Sequence, residues 1–377
     1  MKIWQEACSY KSPIYSFLSS NPPTISLPDM VLYIYSYLNL NELGDNKPMI
    51  YNNPLIKFND INSLSDFSIG HAQDDSAKTG VSVIYFPNGA RAGCDISGGG
   101  PASRETPLTS PLTADNPINA IVLSGGSAYG LAASDGVMKC LEDNNIGYNT
   151  GAALVPLVCQ SCIFDLGYGS AAVRPDSKMG YKACENALNA SDAATMQGNV
   201  GAGTGATVGK IGGMANACKS GLGICSVNIG EINVTAIVIV NALGDIFNPF
   251  DGNKKIAGLL TNNRTEFADT CSALYNFIAP RDMFTGNTTI GAIITNADFN
   301  KGELNKIASM TRNAYARCIN PVGTMADGDS IYAASTGNIK ADINVIGTLS
   351  AEVMSAAIVN AIKESSIPDE EFLSNIK

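Results

Sequence analysis

The chain has 377 residues, of which 45% are hydrophobic and 15% are charged, and it carries a formal net charge of −10. A chain of this length and composition can bury a large core, which excludes an intrinsically disordered protein. The acidic balance, without any basic cluster, argues against a nucleic-acid partner and against binding to an anionic membrane.

The ten cysteines are scattered without the dense, regular spacing of a secreted disulfide scaffold. The first residues, MKIWQEACSYKSP, contain no apolar signal-peptide segment, and the apolar run at 30–40 is too short to span a bilayer. These features predict a cytoplasmic protein with free thiols and no membrane partner.

Composition changes once along the chain. Residues 1–58 are rich in Asn, Tyr, Ser and Pro and poor in glycine, whereas a glycine-rich α/β pattern follows. We therefore predict an N-terminal extension of unknown role at 1–58 and a single domain at 59–377.

Hydrophobic periodicity predicts the elements of this domain in chain order. They are a strand at 80–86, a strand, Gly-Gly turn and helix (from Ser127) within 119–144, a buried strand at 232–245, another at 288–295, a helix opening at Asn300 and a last helix after Thr348. Glu303 is spaced from Asn300 for a capping box.

Several familiar chemistries are disfavoured. His71 is the only histidine, and no G-x-S-x-G motif accompanies it, so a Ser-His-Asp or Cys-His site is not indicated. Cys159 and Cys162 form C-x-x-C, but no second ligand pair for zinc exists. The glycine-rich run 198–213 meets neither the P-loop nor the Rossmann spacing, although Lys210 within it remains a candidate. We expect no metal and no cofactor.

A Thr288–Thr289 pair follows Asn287 at the mouth of a strongly apolar strand. A strand-start pair is one interpretation. The other is self-cleavage before Thr288, which would free an α-amino group with a reference pKa of about 7.7–8.0. Such a group can serve as the base for the hydroxyl of its own residue, which is the part that histidine plays in a Ser-His-Asp site.

A series of segments in order resembles the DmpA-type aminopeptidases and nylon-oligomer hydrolases, which are self-processing N-terminal-nucleophile hydrolases. The segments are IGHAQD (69–74), TGVSVI (79–84), AGCDISGGGPASRET (92–106), NAIVLSGGSAYGL (119–131), VPLV (155–158), IFDL (163–166), RPD (174–176), GNVGAGTGATVGK (198–210), VNALGD (240–245), NTTI (287–290) and INPVGTMADGDSIYAAST (319–336). The resemblance covers residues 60–365.

The resemblance implies an α/β fold of the αββα sandwich type, cleaved into chains 1–287 and 288–377. It also implies a role for each matching residue. Thr288 would be the nucleophile, freed after Asn287, with Lys210 and Asn241 polarising an oxyanion and Asp327 and Asp329 orienting the α-amino group. Tyr129 would line the substrate site.

The expected activity is hydrolysis of amide bonds in short peptides, amino-acid amides or ω-amino-acid oligomers. Thr288 and the paired Asp residues resemble the nylon-oligomer hydrolase branch more than the aminopeptidases, which carry Ser as nucleophile. An acyltransferase of the ornithine acetyltransferase type and an unprocessed, non-catalytic homologue are the alternatives. The resemblance also implies a homo-oligomer, a tetramer or larger.

Overall fold

A computed structural model describes residue 50 and residues 53–189, 196–279 and 286–376. Most of the predicted extension at 1–58 lies outside the described residues, and its role stays a prediction. Its last described residues, Ile56–Phe58, form a strand at the edge of a sheet.

The described residues contain seventeen strands. In chain order they are β1 Ile56–Phe58, β2 Ser68–Asp74, β3 Thr79–Ile96, β4 Ala102–Arg104, β5 Ile118–Ser124, β6 Tyr148–Asn149, β7 Leu154–Val155, β8 Val158–Cys162, β9 Thr207–Val208, β10 Cys218–Lys219, β11 Leu222–Ile229, β12 Ile232–Asn241, β13 Asp245–Asn248, β14 Lys254–Ala257, β15 Thr288–Ala297, β16 Ile319–Asn320 and β17 Ser330–Ile339.

Seven α-helices accompany the strands within the same part of the chain. They are α1 Ala133–Asp143, α2 Ser177–Leu188, α3 Thr270–Tyr275, α4 Lys301–Thr311, α5 Asn313–Cys318, α6 Ile343–Lys363 and α7 Asp369–Ser374.

The long strand β3 belongs to two sheets. Its first half pairs with β2 and β5, and β5 continues to β8 and β4. Its second half pairs with β17, which continues through β15, β12 and β11 to β1. The ladder of β3 with β5 is irregular between Tyr85 and Ala90, where the strand passes from one sheet to the other.

The fold has four layers, in the order helices, sheet, sheet and helices, and a hydrophobic core lies between each neighbouring pair of layers. Along β12, Val234, Ala236 and Val238 face the core against α4 and α6, whereas Ile237 and Ile239 face the core between the sheets. A third core packs β3 and β5 against α1 and α2. Because successive strand residues point to opposite faces, an unbroken apolar run such as β12 fits a strand covered on both sides. The predicted αββα sandwich is confirmed.

The predicted strands are all present, and Asn300 with Glu303 forms the expected capping box on α4. Two helix starts were wrong. Residues Ser127–Ala132 form a 3-10 turn, so α1 begins only at Ala133. The helix predicted after Thr348 is α6, which begins at Ile343, because the Asp342 side chain accepts hydrogen bonds from the backbone of Asn344 and Val345 and so caps the helix earlier. The short helix α7 that follows it was not predicted.

Helix α6 is the one described helix long and apolar enough to cross a membrane by length and composition. However, 78% of its most apolar window is buried inside the protein. It packs on β11 and β12 as the central helix of its layer, which explains why nearly its whole circumference is apolar.

Candidate active site

The candidate nucleophile lies at one end of two central strands that run side by side. Thr288 is the first residue of β15, and it pairs with Asn241, the last residue of the antiparallel strand β12. On the other side β15 runs parallel to β17, which begins just after Asp329. The sheet therefore brings together three of the predicted residues that lie far apart in the chain.

Lys210 approaches the same strand end from a 3-10 turn. Its Nζ donates to the backbone oxygen of Asn241 at 2.9 Å, to Oδ1 of Asn241 at 3.0 Å and to the backbone oxygen of Gly286 at 3.3 Å. The Asn241 side chain is held further by the Thr207 amide, which donates to Oδ1, and its own Nδ2 donates to the Phe164 oxygen. Lys210 is thus fixed beside the Gly286–Thr288 segment.

Both predicted carboxylates bind the backbone at Gly323 and Thr324. The Asp327 carboxylate accepts hydrogen bonds from the amide and hydroxyl of Thr324, and Asp329 accepts one from the amide of Gly323. The other oxygen of Asp329 accepts from the Thr289 amide at 2.6 Å. Asp329 therefore fixes the backbone immediately after Thr288, while in this uncut chain Thr288 has no free amino group for either carboxylate to orient.

The carbonyl group of Asn287 is contacted from two sides. The Gly328 amide donates to the Asn287 oxygen at 2.9 Å, and the Thr288 hydroxyl donates to that same oxygen. A Cβ at Gly328 would lie 2.8 Å from Oγ1 of Thr288, so only glycine allows this approach without a shift. The bond between Asn287 and Thr288 thus has both a hydroxyl and a polarising N–H against its carbonyl.

Burial changes the protonation of the cluster. It lowers the pKa of Lys210 to about 7, although Asp327, Asp165 and Asp329 attract the charged form and oppose the change. Burial and the neighbouring Asp327 carboxylate raise the pKa of Asp329 well above its usual range. Groups that change charge near neutral pH are typical of functional sites.

A cavity of about 220 Å³ opens beside this cluster. Lys210 and Gly286 form the wall nearest to Thr288, and Phe164, Tyr168 and Met214 supply aromatic and apolar surface. A small, mainly apolar cavity with a few polar groups is the usual form of a small-molecule site.

The structure does not bring Tyr129 into this cluster. Its side chain is 62% exposed on the 3-10 turn Ser127–Ala132, and the Arg174 guanidinium lies 4.2 Å over its ring. Its predicted part in substrate binding stays a prediction.

Sequence reasoning missed three contributors to the site. Gly328 stands between two predicted residues but was not singled out. Gly98–Gly100 support the Asp327–Asp329 segment, and the Gly100 amide donates to the Asp327 oxygen at 2.8 Å. Asp165 is buried in the cavity wall, where it binds the Thr79 hydroxyl and the Gly126 amide. Burial raises the pKa of Asp165 to about 6. The motif SGGGP contains Gly98–Gly100 and the motif IFDL contains Asp165, but neither motif indicates what these residues do.

Cys159, Cys162 and His71 form none of the hydrogen bonds described above for the candidate site. Cys159 and Cys162 are buried in β8, where burial raises the pKa of each thiol to about 12, and Nδ1 of His71 binds the Ser82 hydroxyl. Within the described part of the chain, no three metal-ligating side chains are grouped for an ion.

The chain matches the model of peptidase family S58 over residues 59–367. Among curated proteins, it is 34% identical over 298 residues to an uncharacterized aminopeptidase of Mycobacterium leprae, covering 75% of this chain and 80% of the relative. It is 30% identical over 318 residues to a 6-aminohexanoate-oligomer endohydrolase of Kocuria, covering 78% of this chain and 84% of the relative.

Solved structures give the same fold at low sequence identity. The L-aminopeptidase D-Ala-esterase/amidase of Ochrobactrum anthropi, described as a variant of the Ntn hydrolase fold, superimposes with a TM-score of 0.60 at 14% identity, covering 84% of this chain and 94% of that one. A Burkholderia β-aminopeptidase gives 0.58 at 17% identity, with coverage of 85% and 93%. The family match favours amide hydrolysis over acyl transfer.

Proposed function

The chain belongs to peptidase family S58 and is an amide-bond hydrolase, and on this premise we propose that it cuts itself between Asn287 and Thr288 and then uses Thr288 as its nucleophile. The observation that carries the proposal is the pair of contacts on the Asn287 carbonyl. The Thr288 hydroxyl and the Gly328 amide both meet the oxygen of that group.

Self-cleavage proceeds in two balanced steps. The Thr288 oxygen attacks the Asn287 carbonyl carbon, the hydroxyl proton passes to the departing nitrogen as the C–N bond breaks, and an ester with a free α-amino group results. Water then hydrolyses the ester, leaving the Asn287 carboxylate and a restored Thr288 hydroxyl. The Gly328 amide and the Lys210 ammonium stabilise the negative charge that develops on the carbonyl oxygen.

Substrate hydrolysis reuses the same groups. The freed α-amino group accepts the proton of the Thr288 hydroxyl, which attacks the substrate carbonyl, and the leaving amine takes that proton. Water then releases the acyl group. In this scheme the substrate carbonyl occupies the former place of the Asn287 carbonyl, where the Gly328 amide can donate to an oxyanion. Asp327 and Asp329 orient the α-amino group of Thr288.

Substrates of the proposed enzyme are short peptides, amino-acid amides or ω-amino-acid oligomers. The support is the 220 Å³ cavity beside Lys210 and Gly286, which limits the acyl part to a small group. The names of the two curated relatives cover both an aminopeptidase and an oligomer endohydrolase. A cytoplasmic location accords with the nine free cysteines of the described residues. A homo-oligomer stays a prediction.

Intact mass spectrometry of the wild type beside Thr288→Val and Thr289→Val tests the proposal. We expect the wild type and Thr289→Val to give fragments of roughly 30 and 9 kDa by share of chain length, and Thr288→Val to remain whole. Thr289→Val is a matched control, because Oγ1 of Thr289 is buried without a hydrogen-bond partner among the described residues. An uncut wild type that hydrolyses no amide would overturn the proposal.

A further inference from the structure

An aromatic cluster connects the candidate substrate cavity to the end of the chain. Tyr168 and Met214 line the cavity, and both also pack in a small core with Phe372 of helix α7. The rings of Tyr168 and Phe372 stack with their centroids 5.1 Å apart and their planes inclined by 22°. Each of these two side chains is 1% exposed, and the Lys219 ammonium lies 5.9 Å from the centre of the Tyr168 ring. Phe372 and Lys219 therefore both hold the ring that lines the cavity.

Helix α7 is fixed in this position from two sides. The largely buried Arg264 guanidinium donates to Asp369 at 2.7 Å and lies 4.9 Å over the Phe372 ring. On the other side, the amide of Gly169 donates to the Asn375 oxygen at 2.8 Å. Because Gly169 follows Tyr168 directly, the end of the chain is tied to the residue that forms the cavity wall.

This brace lies beyond the part of the chain that matches the family model. The family model ends at residue 367, whereas α7 spans Asp369–Ser374. The support of this cavity wall therefore comes from residues outside the region that matches the family model.

We propose that Phe372 is a specificity-determining residue that acts through Tyr168. Its ring keeps Tyr168 pressed against the cavity and so limits the length of the apolar part of the acyl group that fits between Phe164, Tyr168 and Met214. The substrates admitted are those with a short methylene chain or a small side chain on the acyl side. The inference rests on the proposed function, since it takes this cavity as the acyl site.

The physical reason is the loss of support when the ring is removed. Phe372→Ala leaves a void behind Tyr168, and a packed ring shifts toward such a void because the surrounding structure relaxes partly into it. The cavity then deepens away from Thr288. A longer acyl chain gains apolar contacts, whereas a short one gains none.

The test compares p-nitroanilides of β-alanine, 4-aminobutanoate and 6-aminohexanoate on the wild type, Phe372→Ala and Phe372→Leu. We expect the kcat/KM ratio of the longest to the shortest substrate to rise by about 10-fold or more in Phe372→Ala, as one methylene in an apolar pocket is worth at least that. The rise should come mainly from a lower KM for the long substrate. Phe372→Leu, which keeps most of the apolar volume, gives a smaller rise and remains usable if Phe372→Ala does not fold.

Two controls separate this inference from a general loss of structure. Leu373→Ala alters the same helix at a side chain that is 41% exposed, and it should leave the ratio unchanged. Met214→Ala enlarges the cavity directly by shortening a lining side chain, and it should raise the ratio while Phe372 keeps its ring. Intact mass should show complete self-cleavage in every variant.

The outcomes distinguish a failure of the role of Phe372 from a failure of the proposed function. If the wild type hydrolyses amides but both Phe372 variants keep its ratio, the role of Phe372 is overturned while the proposed function stands. An unchanged ratio in Met214→Ala overturns the inference too, since the cavity is then not the acyl site. If the wild type neither cuts itself nor hydrolyses any amide, the proposed function fails and takes the inference with it.

Discussion

At the scale of single residues, the site depends on how closely the backbone of one loop approaches the Asn287–Thr288 bond. Gly328 donates to the Asn287 oxygen from a position where a Cβ would meet both Oγ1 of Thr288 and the oxygen of Gly100, at 2.8 and 2.9 Å. Position 328 therefore requires glycine, because its N–H must reach the Asn287 oxygen and no Cβ fits there without a shift.

The first prediction follows from this contact. Gly328→Ala should slow self-cleavage by about 100-fold or more, because it displaces an oxyanion donor from the carbonyl. The fraction of uncut chain, followed by intact mass after cell-free synthesis, measures the effect. Gly100→Ala is the matched control, since a Cβ there meets its nearest atoms at 3.8 Å or more. Equal cleavage rates in the two variants would contradict the role of Gly328.

The second prediction concerns pH. The rate of self-cleavage should have a bell-shaped dependence on pH. It should rise with pH as Asp329, whose pKa is raised, loses its proton. It should fall above pH about 7 as Lys210, whose pKa burial lowers to about 7, loses its charge. Ionised Asp329 accepts from the Thr289 amide, and charged Lys210 stabilises the oxyanion. The first-order rate from pH about 5 to about 9 measures both limbs.

Asp165→Asn tests which group sets the alkaline limb. The Asp165 carboxylate favours the charged form of Lys210, so its neutralisation lowers the pKa of Lys210 further and moves that limb to lower pH. Asp115→Asn, which alters an exposed carboxylate paired with Arg91, should leave the profile in place. An alkaline limb that stays fixed in Asp165→Asn would exclude Lys210 as its origin.

At the scale of elements, strand ends and helix caps place the site. Thr288, Asn241 and Asp329 each lie at or beside the end of a central strand, so their positions follow from the strand register. Helix α4 follows β15 directly and begins at the capping box of Asn300 and Glu303. This box fixes where the chain leaves the strand that carries the nucleophile.

A third prediction tests the cap. Asn300→Ala should reduce stability by about 1 kcal/mol, because the Glu303 amide loses its acceptor. Thermal unfolding in the uncut Thr288→Val background should show a lower Tm, by roughly 2 °C. Lys306→Ala, an exposed change in the same helix, should alter Tm far less. A Tm that Asn300→Ala does not lower would mean that the box contributes nothing to stability.

At the scale of the whole molecule, cleavage before Thr288 would divide the central sheet between two chains. The second chain would hold β15 and β17 as neighbours, and these strands lie between β12 and β3 of the first chain. Both chains also share the cores on either face of this sheet. The two products are therefore parts of one folded unit.

The fourth prediction is that the products stay together. Size-exclusion chromatography in native buffer should give one peak that contains both fragments, because their separation would expose two central strands and two apolar cores. In concentrated guanidinium chloride the fragments should separate. Separate elution in native buffer would contradict the pairing of β15 with β12 after cleavage.

The sequence by itself determined the main strands and the capping box, because periodicity and turn residues depend on residues close together in the chain. The resemblance of its motifs to a known family implied the αββα fold, which the structure has, and the roles of Thr288 and its Lys, Asn and Asp partners, which stay predictions. The early start of α6 and the late start of α1 were missed, since local capping and a 3-10 turn decided them.

Only the tertiary structure decided which groups meet. Gly328 lies against Asn287, and Asp165 lies near Lys210. Phe372 stacks on Tyr168, although more than half of the chain separates the two residues in sequence. Such contacts join residues from separate elements, and the changes in pKa arise from burial that no local pattern encodes. Tyr129, which the resemblance links to the site, lies exposed under Arg174, and its part in substrate binding stays a prediction.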